Sequence, residues 1–171
     1  MISQKMQDAI NAQINREMYS AYLYLSMASW CESHDLPGFA NWMVVQAKEE
    51  LIHSQMMFKF VLDRDGRVLL QPIGGPKTEW DSSVAVFQEV LEHEQSVTRH
   101  IHELVDIATG EKDHATANFL QWFVSEQVEE EASARAVLQQ VRLVGDAPGG
   151  LFLVDRELAR RVFTVPAAAA E

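Results

Sequence analysis

The chain has 171 residues, 25 acidic side chains against 14 Lys and Arg, and a formal net charge of −11. That length suits one domain with a real hydrophobic core. No cluster of Lys or Arg stands out, which argues against nucleic acid and anionic membranes as partners, because their phosphates need basic side chains.

The N-terminus, Met1 to Asp8, carries no apolar run of the signal-peptide kind, and no stretch approaches ~20 apolar residues, so no membrane span is expected. Residues from about 3 to 32 hold no Gly or Pro. Ser3 can cap a first helix there, with apolar residues at Met6, Ile10, Ile14, Ala21, Tyr24 and Ala28 in steps of three and four apart from one gap. Glu17 fills the gap, on the stripe itself, where a carboxylate is costly unless it is paired or metal-bound. Cys31 is the only cysteine, so there is no disulfide framework and no thiolate zinc or iron–sulfur site, and a reducing, cytoplasmic setting fits.

Pro37 and Gly38 punctuate the chain, and a second helix is expected from about 37 to 64. Its seam is Phe39, Trp42 or Met43, Gln46, Glu50, His53, Met57 and Val61. Glu50 and His53 interrupt it three residues apart, a spacing that lets both reach one metal ion. The stretch from Arg67 to Lys77, rich in Pro and Gly, has no helical period and reads as an extended crossover lying along a helical bundle. A third helix, about 82 to 109, is capped from Asp81-Ser82-Ser83 and has Phe87, Leu91, Glu94, Thr98, Ile101, Val105 and Ala108 as its seam. A fourth, about 113 to 144, has Thr116, Leu120, Phe123, Gln127, Glu130, Ala134, Val137 and Val141. After the Gly-rich break at 145–150, a short fifth helix over about 150–165 is expected to pack outside the four, followed by a frayed tail at 166–171.

These elements repeat. A shift of 77 residues carries Glu17 onto Glu94, Glu50 onto Gln127, His53 onto Glu130, and Phe39-Ala40-Asn41-Trp42 onto Thr116-Ala117-Asn118-Phe119. The expected fold is therefore all-α: one domain over 1–171, with a four-helix bundle at about 3–144 built from two helical hairpins. Its middle holds a polar layer of Glu17, Glu50, His53, Glu94 and Glu130, with Gln127 beside them. Four buried carboxylates must take up protons or cations. Oxygen ligands with one His suit iron(II) or manganese, with zinc as a competitor. Di-metal carboxylate bundles draw one Glu from each of two helices and a Glu-x-x-His from each of the other two. The second helix keeps that plan and the fourth has Gln127-x-x-Glu130 instead, so the second metal position should be the weaker.

Three stretches carry a family resemblance: Ile14 to Leu25, Lys48 to His53, and Gln121 to Glu131. Over nearly its whole length the chain resembles the non-haem bacterial ferritins. The resemblance implies a ferroxidase centre with one iron at Glu17, Glu50 and His53. A second would use Glu50, Glu94 and Glu130, with Gln127 close by. It implies a third iron position at Glu49, Glu126, Glu129 and Glu130, and a Tyr24 beside the centre that can supply an electron, as can Trp122. It also implies a homo-oligomeric shell of 24 subunits. Fe(II) would be oxidised there by O2 or H2O2 and stored as ferric mineral, and the fifth helix would line the four-fold axis. Leu51 stands where bacterioferritins carry a haem-binding Met, which argues against haem, although Met56 and Met57 lie a turn or more further on. Thr116 to Val124 has no carboxylate, unlike the entry channel of animal-type ferritins. The other histidines, His34, His93, His100, His102 and His114, are read as surface or inter-subunit residues.

The alternative reading is a non-storage di-iron oxidoreductase or peroxide-detoxifying bundle of the rubrerythrin kind, but the Cys-x-x-Cys domain that it needs is missing. A metal-free bundle would put apolar residues where the glutamates stand. The miniature DNA-protecting cages place their iron site between subunits, whereas these ligands fall within one chain.

Overall fold

A computed structural model describes residues 1–145, 147–166 and 169. Four long helices form the body: α1 (Gln4–Ser33), α2 (Pro37–Asp63), α3 (Ser83–Gly110) and α4 (His114–Val144). At 27 to 31 residues each, they are roughly 40 Å long. Ser3, Ser82 and Asp113 accept from the backbone N–H three residues on and so cap α1, α3 and α4. Asp35, Asp65 and Lys112, all at left-handed φ, turn the chain just beyond α1, α2 and α3.

The core is in two parts. One unites the C-terminal half of α1 with the starts of α2 and α3 and the end of α4, around Tyr24, Phe39, Phe87 and Leu138. The other unites the start of α1 with the ends of α2 and α3 and the start of α4, around Ile10, Met57, Ile101 and Leu120. This distribution fixes the topology. α1 and α2 are antiparallel, as are α3 and α4, while α2 and α3 run the same way, so the chain must return the full length of the bundle between them.

The return segment has no regular structure and lies along α1, as expected. Side chains on one flank of α1 hold it: the Asn11 amide donates to the Arg67 carbonyl at 3.1 Å and accepts from the Leu69 N–H at 3.2 Å. Further along, Asn15 donates to Gln71 and Pro72 carbonyls, and Ser26 to Lys77. Trp80 ends it, buried edge-on against Trp30 with its indole N–H on Glu89.

Two expectations are corrected. The buried stripe of α3 runs Phe87, Val90, Glu94, Val97, Ile101, Leu104, Ala108, not through Leu91, Thr98 and Val105. Both sequences of steps keep the heptad, and it is the branched residues at 90, 97 and 104 that are buried. The fifth helix, α5, is Pro148–Leu158, starting and ending before the span expected for it. Beyond it the chain turns back onto α2, where Asn41 donates to the Leu158 and Arg161 carbonyls. Of the expected tail, 167, 168, 170 and 171 lie outside the described residues.

α5 covers the N-terminal end of α2. That end has no side-chain cap of its own at Leu36. The Asp155 carboxylate supplies it instead, accepting from the Gly38 N–H at 2.7 Å and the Phe39 N–H at 3.1 Å. A Cβ at Gly38 would sit 1.7 Å from the Asp155 carbonyl oxygen, so only glycine admits this approach. No helix among the described residues is long and apolar enough to cross a membrane.

Candidate metal centre

Between the two halves of the core, each helix turns polar side chains inward. Glu17 comes from α1, Glu50 and His53 from α2, Glu94 from α3, Gln127 and Glu130 from α4, and all six are at most 5 % exposed. The helical period makes this possible. Each lies in register with apolar residues above and below it, so the packing that buries the stripe buries the carboxylate too.

Glu17, Glu50 and His53 form the tightest set, with one donor atom of each within 4.8 Å of the others. The His53 Nδ1 lies 3.6 Å from Glu50 Oε2. Glu17 Oε2, Glu50 Oε2 and His53 Nε2 are buried with no hydrogen-bond partner. Bare donor atoms of this kind are costly in a protein interior unless a cation takes them up. Carboxylates with one imidazole form a donor set for a divalent first-row metal.

Glu94 and Glu130 sit beside this set and are held differently. Glu94 accepts from the Tyr24 hydroxyl and, at 3.2 Å, from the Gln127 amide. Glu130 accepts from the Gln46 amide at 2.8 Å. On the other side Gln13 donates to Glu17 at 2.7 Å, and Arg16 to the oxygen of Gln13. The sequence reading missed Gln13 as part of the site, and placed Gln46 on the seam without a role. The signal was present for both: an amide four residues from a buried Glu, on the same helical face.

The electrostatics follow from burial. Desolvation, with the charges of Glu94 and Glu17, holds Glu50 well above the usual carboxylate range. Glu94 is pushed up to about 7 by burial, against the hydrogen bonds from Tyr24 and Gln127 that lower it. Glu130 is pushed up to about 8 by burial and by the Glu94 and Glu49 charges. The Tyr24 hydroxyl is raised by burial and by the Glu94 charge, so it stays protonated and donates. The layer thus stores protons that an entering dication displaces.

Aromatic rings close the layer. Tyr24 meets Trp42 and His93 edge-on at 6.4 and 5.9 Å, and Trp122 meets His53 at 5.4 Å. His93 is not a surface residue: it lies between α1 and α3, bonded to the Ser20 hydroxyl at 2.8 Å, and burial lowers its pKa.

The remaining expected residues are less buried than the layer. Glu49 and Glu126 are half-buried and Glu129 is exposed. Glu49 does not present a free carboxylate, because Arg161 pairs with it at 2.6 Å.

The Ferritin-like domain model matches residues 7–144. The chain belongs to the ferritin family. It is 40 % identical over 163 residues to the bacterial non-heme ferritin of Staphylococcus saprophyticus, covering 95 % of this chain and 98 % of that one. With the bacterial non-heme ferritin of Bacteroides fragilis it shares 44 % over 161 residues, 94 % of this chain and all of that one. Among solved structures, a closed form of the Archaeoglobus fulgidus ferritin engineered by mutagenesis is 56 % identical, with a TM-score of 0.95 over 96 % of this chain and 100 % of that one. The open-pore ferritin of the same archaeon is also 56 % identical, with a TM-score of 0.94 over 95 % and 99 % of the two chains. This ferritin-family chain therefore shares the five-helix architecture along nearly its whole length.

Proposed function

We propose that the polar layer is a di-iron ferroxidase centre in which Glu17, Glu50 and His53 bind one ferrous ion and Glu50, Glu94 and Glu130 the second. As a ferritin-family chain this is an iron-storage protein whose enzymatic activity is the oxidation of Fe(II) to Fe(III). The observation that carries the assignment is the buried Glu17, Glu50 and His53 set, whose donor atoms converge within 4.8 Å and include three with no hydrogen-bond partner.

Each residue has a share in the chemistry. Glu50, which feels the charges of Glu94, Glu17 and Glu130, would be shared by the two ions. Gln127 holds Glu94, and Tyr24, donating to the same carboxylate, is placed to give up an electron with its proton to a neighbour. Oxidation of iron supplies one electron per ion, so O2 draws on four ions and H2O2 on two. The second position is the looser one, since α4 offers Gln127 and Glu130 where α2 offers Glu50 and His53, which leaves it without an imidazole ligand. Looser binding suits an ion that leaves once oxidised. Glu49, Glu126 and Glu129, with Glu130, form a third position on the way out. In support, burial raises both Glu49 and Glu126, which a cation would relieve.

Storage requires a container, and we assign a closed homo-oligomer of 24 subunits in the cytoplasm. Twenty-four copies of the 19.3 kDa chain would have a mass of about 460 kDa. Stopped-flow absorbance after mixing with Fe(II) tests the centre. Glu50→Ala and His53→Ala should each abolish the fast phase while size-exclusion mass stays that of the assembled protein. An unchanged fast phase in either variant sinks the assignment.

A further inference from the structure

Beyond α5 the chain does something that the metal centre does not require. It bends back, and Asn41 on α2 holds it by donating to the carbonyls of Leu158 and Arg161 at 3.2 and 3.0 Å. That brings the Arg161 guanidinium over the face of Trp42, 4.5 Å from the ring centre. Its Nη1 donates to the Trp42 carbonyl at 3.5 Å, and its Nη2 to Glu49 Oε2 at 2.6 Å. The pair is not a surface ornament, since the two side chains are only 22 % and 16 % exposed. A short, charge-assisted, mostly buried bond of this kind is of the strong class. Glu49 directly precedes Glu50, and burial raises its pKa while the Arg161 charge beside it works in the other direction. Arg161 therefore occupies one of the carboxylates assigned to the third position, next in sequence to Glu50.

We infer that Arg161 is a positioning residue that competes with metal for Glu49, closing the third iron position until the C-terminal segment releases. Guanidinium cannot be neutralised at any working pH, so the carboxylate is freed only by displacement, never by loss of a proton from Arg161. Anchoring the backbone does not need the charge, because Asn41 already holds it at the Leu158 and Arg161 carbonyls. The charge on Glu49 is what a merely structural role leaves unexplained. The inference rests on the proposed third position, and the test separates the two.

The probe is Zn2+, titrated calorimetrically into the assembled protein, with the tighter equivalents of each sample serving as its internal reference. Arg161→Gln should bind the weakest equivalent roughly tenfold more tightly than the native chain, which corresponds to about 1.4 kcal/mol. Arg161→Lys, which keeps a cation, should stay near native. Glu129→Gln should remove that equivalent in both backgrounds. Asn41→Ala loosens the segment without touching the guanidinium and should tighten the same equivalent in part. It carries the test if Arg161→Gln fails to assemble. If the weak equivalent is present, depends on Glu129, and is unmoved by Arg161→Gln or Asn41→Ala, competition by Arg161 is wrong and the third position stands. If no such equivalent exists in any variant, the third position is wrong and the competition falls with it.

Discussion

Three glutamines each donate to one carboxylate of the polar layer: Gln13 to Glu17, Gln46 to Glu130 and Gln127 to Glu94. An amide fixes the rotamer of its partner without cancelling the charge, so the layer is oriented and still wants cations. Removing such a partner should weaken metal binding about 10–100-fold. Gln13→Leu is expected to do so at the Glu17 position and Gln46→Leu at the Glu130 position, read as Zn2+ affinity with helix content unchanged. The same layer sets a pH dependence. Glu94 and Glu130 titrate near 7 and 8 in the folded chain, against about 4.3 for a free glutamate. Their folded values are raised, so the folded state holds the extra protons and is favoured below the free value. That stability, on the order of a few kcal/mol, is lost as pH rises through 7 to 8. Metal-free protein should therefore melt at a lower temperature at pH 8.5 than at pH 5.5, and added Zn2+ should raise the melting temperature more at pH 8.5. A melting temperature that rises with pH in the metal-free protein would contradict the burial argument.

At the level of helices, α5 and α2 depend on each other through one carboxylate. Asp155→Ala leaves the Gly38 and Phe39 N–H groups without a partner and should cost about 1–2 kcal/mol, the usual loss for a helix cap. Chemical denaturation measures it. The expected pattern is a lower midpoint with an unchanged slope, since the bundle itself stays folded. A second capping contact joins α2 to α4. Asp113 caps α4 and pairs twice with Arg64 at 3.1 Å. Burial works against its charge, but bonds from Thr116 and Arg64 hold its pKa down to about 2. These contacts also mark what a sequence reveals. The caps at Ser3 and Ser82 and the apolar stripes of α1, α2 and α4 are local, and the chain displays them as spacing. Glu17, Glu50, His53, Glu94 and Glu130 were legible for the same reason, as charges on a stripe that should be apolar. Asp155 capping a helix 117 residues away, or Arg161 meeting Glu49 across 112, leaves no local trace. The expected extent of α5 was too late in the chain, and the contacts that dock it and the segment after it join residues 117 to 120 apart. The α3 stripe was misread because two interleaved apolar rows fit the heptad, and only the partner hairpin decides which one is buried.

The single chain completes its polar layer but not its surface. Tyr22 and Leu25 on α1 and Leu69, Leu70 and Ile73 on the crossover are each more than 40 % exposed. Tyr22 shares the helical face of Asn15 and Ser26, which hold the crossover, so these apolar groups fall along one flank. Exposed apolar groups gathered in this way mark a surface that another protein covers. In a shell that protein is a second copy of the chain. Each leucine buried there contributes about 1.5–3 kcal/mol, and a two-fold contact uses it twice. Replacing Leu70 and Ile73 together with Arg puts two like charges on each side of such a contact. Size-exclusion mass should then fall from the shell to a small species, with helical content retained because neither side chain belongs to the core. Rapid ferrous oxidation should persist, since all five metal-type ligands come from one chain. What should vanish is the capacity to keep ferric product in solution, seen as turbidity once iron exceeds a few ions per subunit. If the double variant still elutes at shell mass, this flank is not where subunits meet. If it dissociates and loses the fast phase as well, the centre depends on its neighbours and not on the four helices alone.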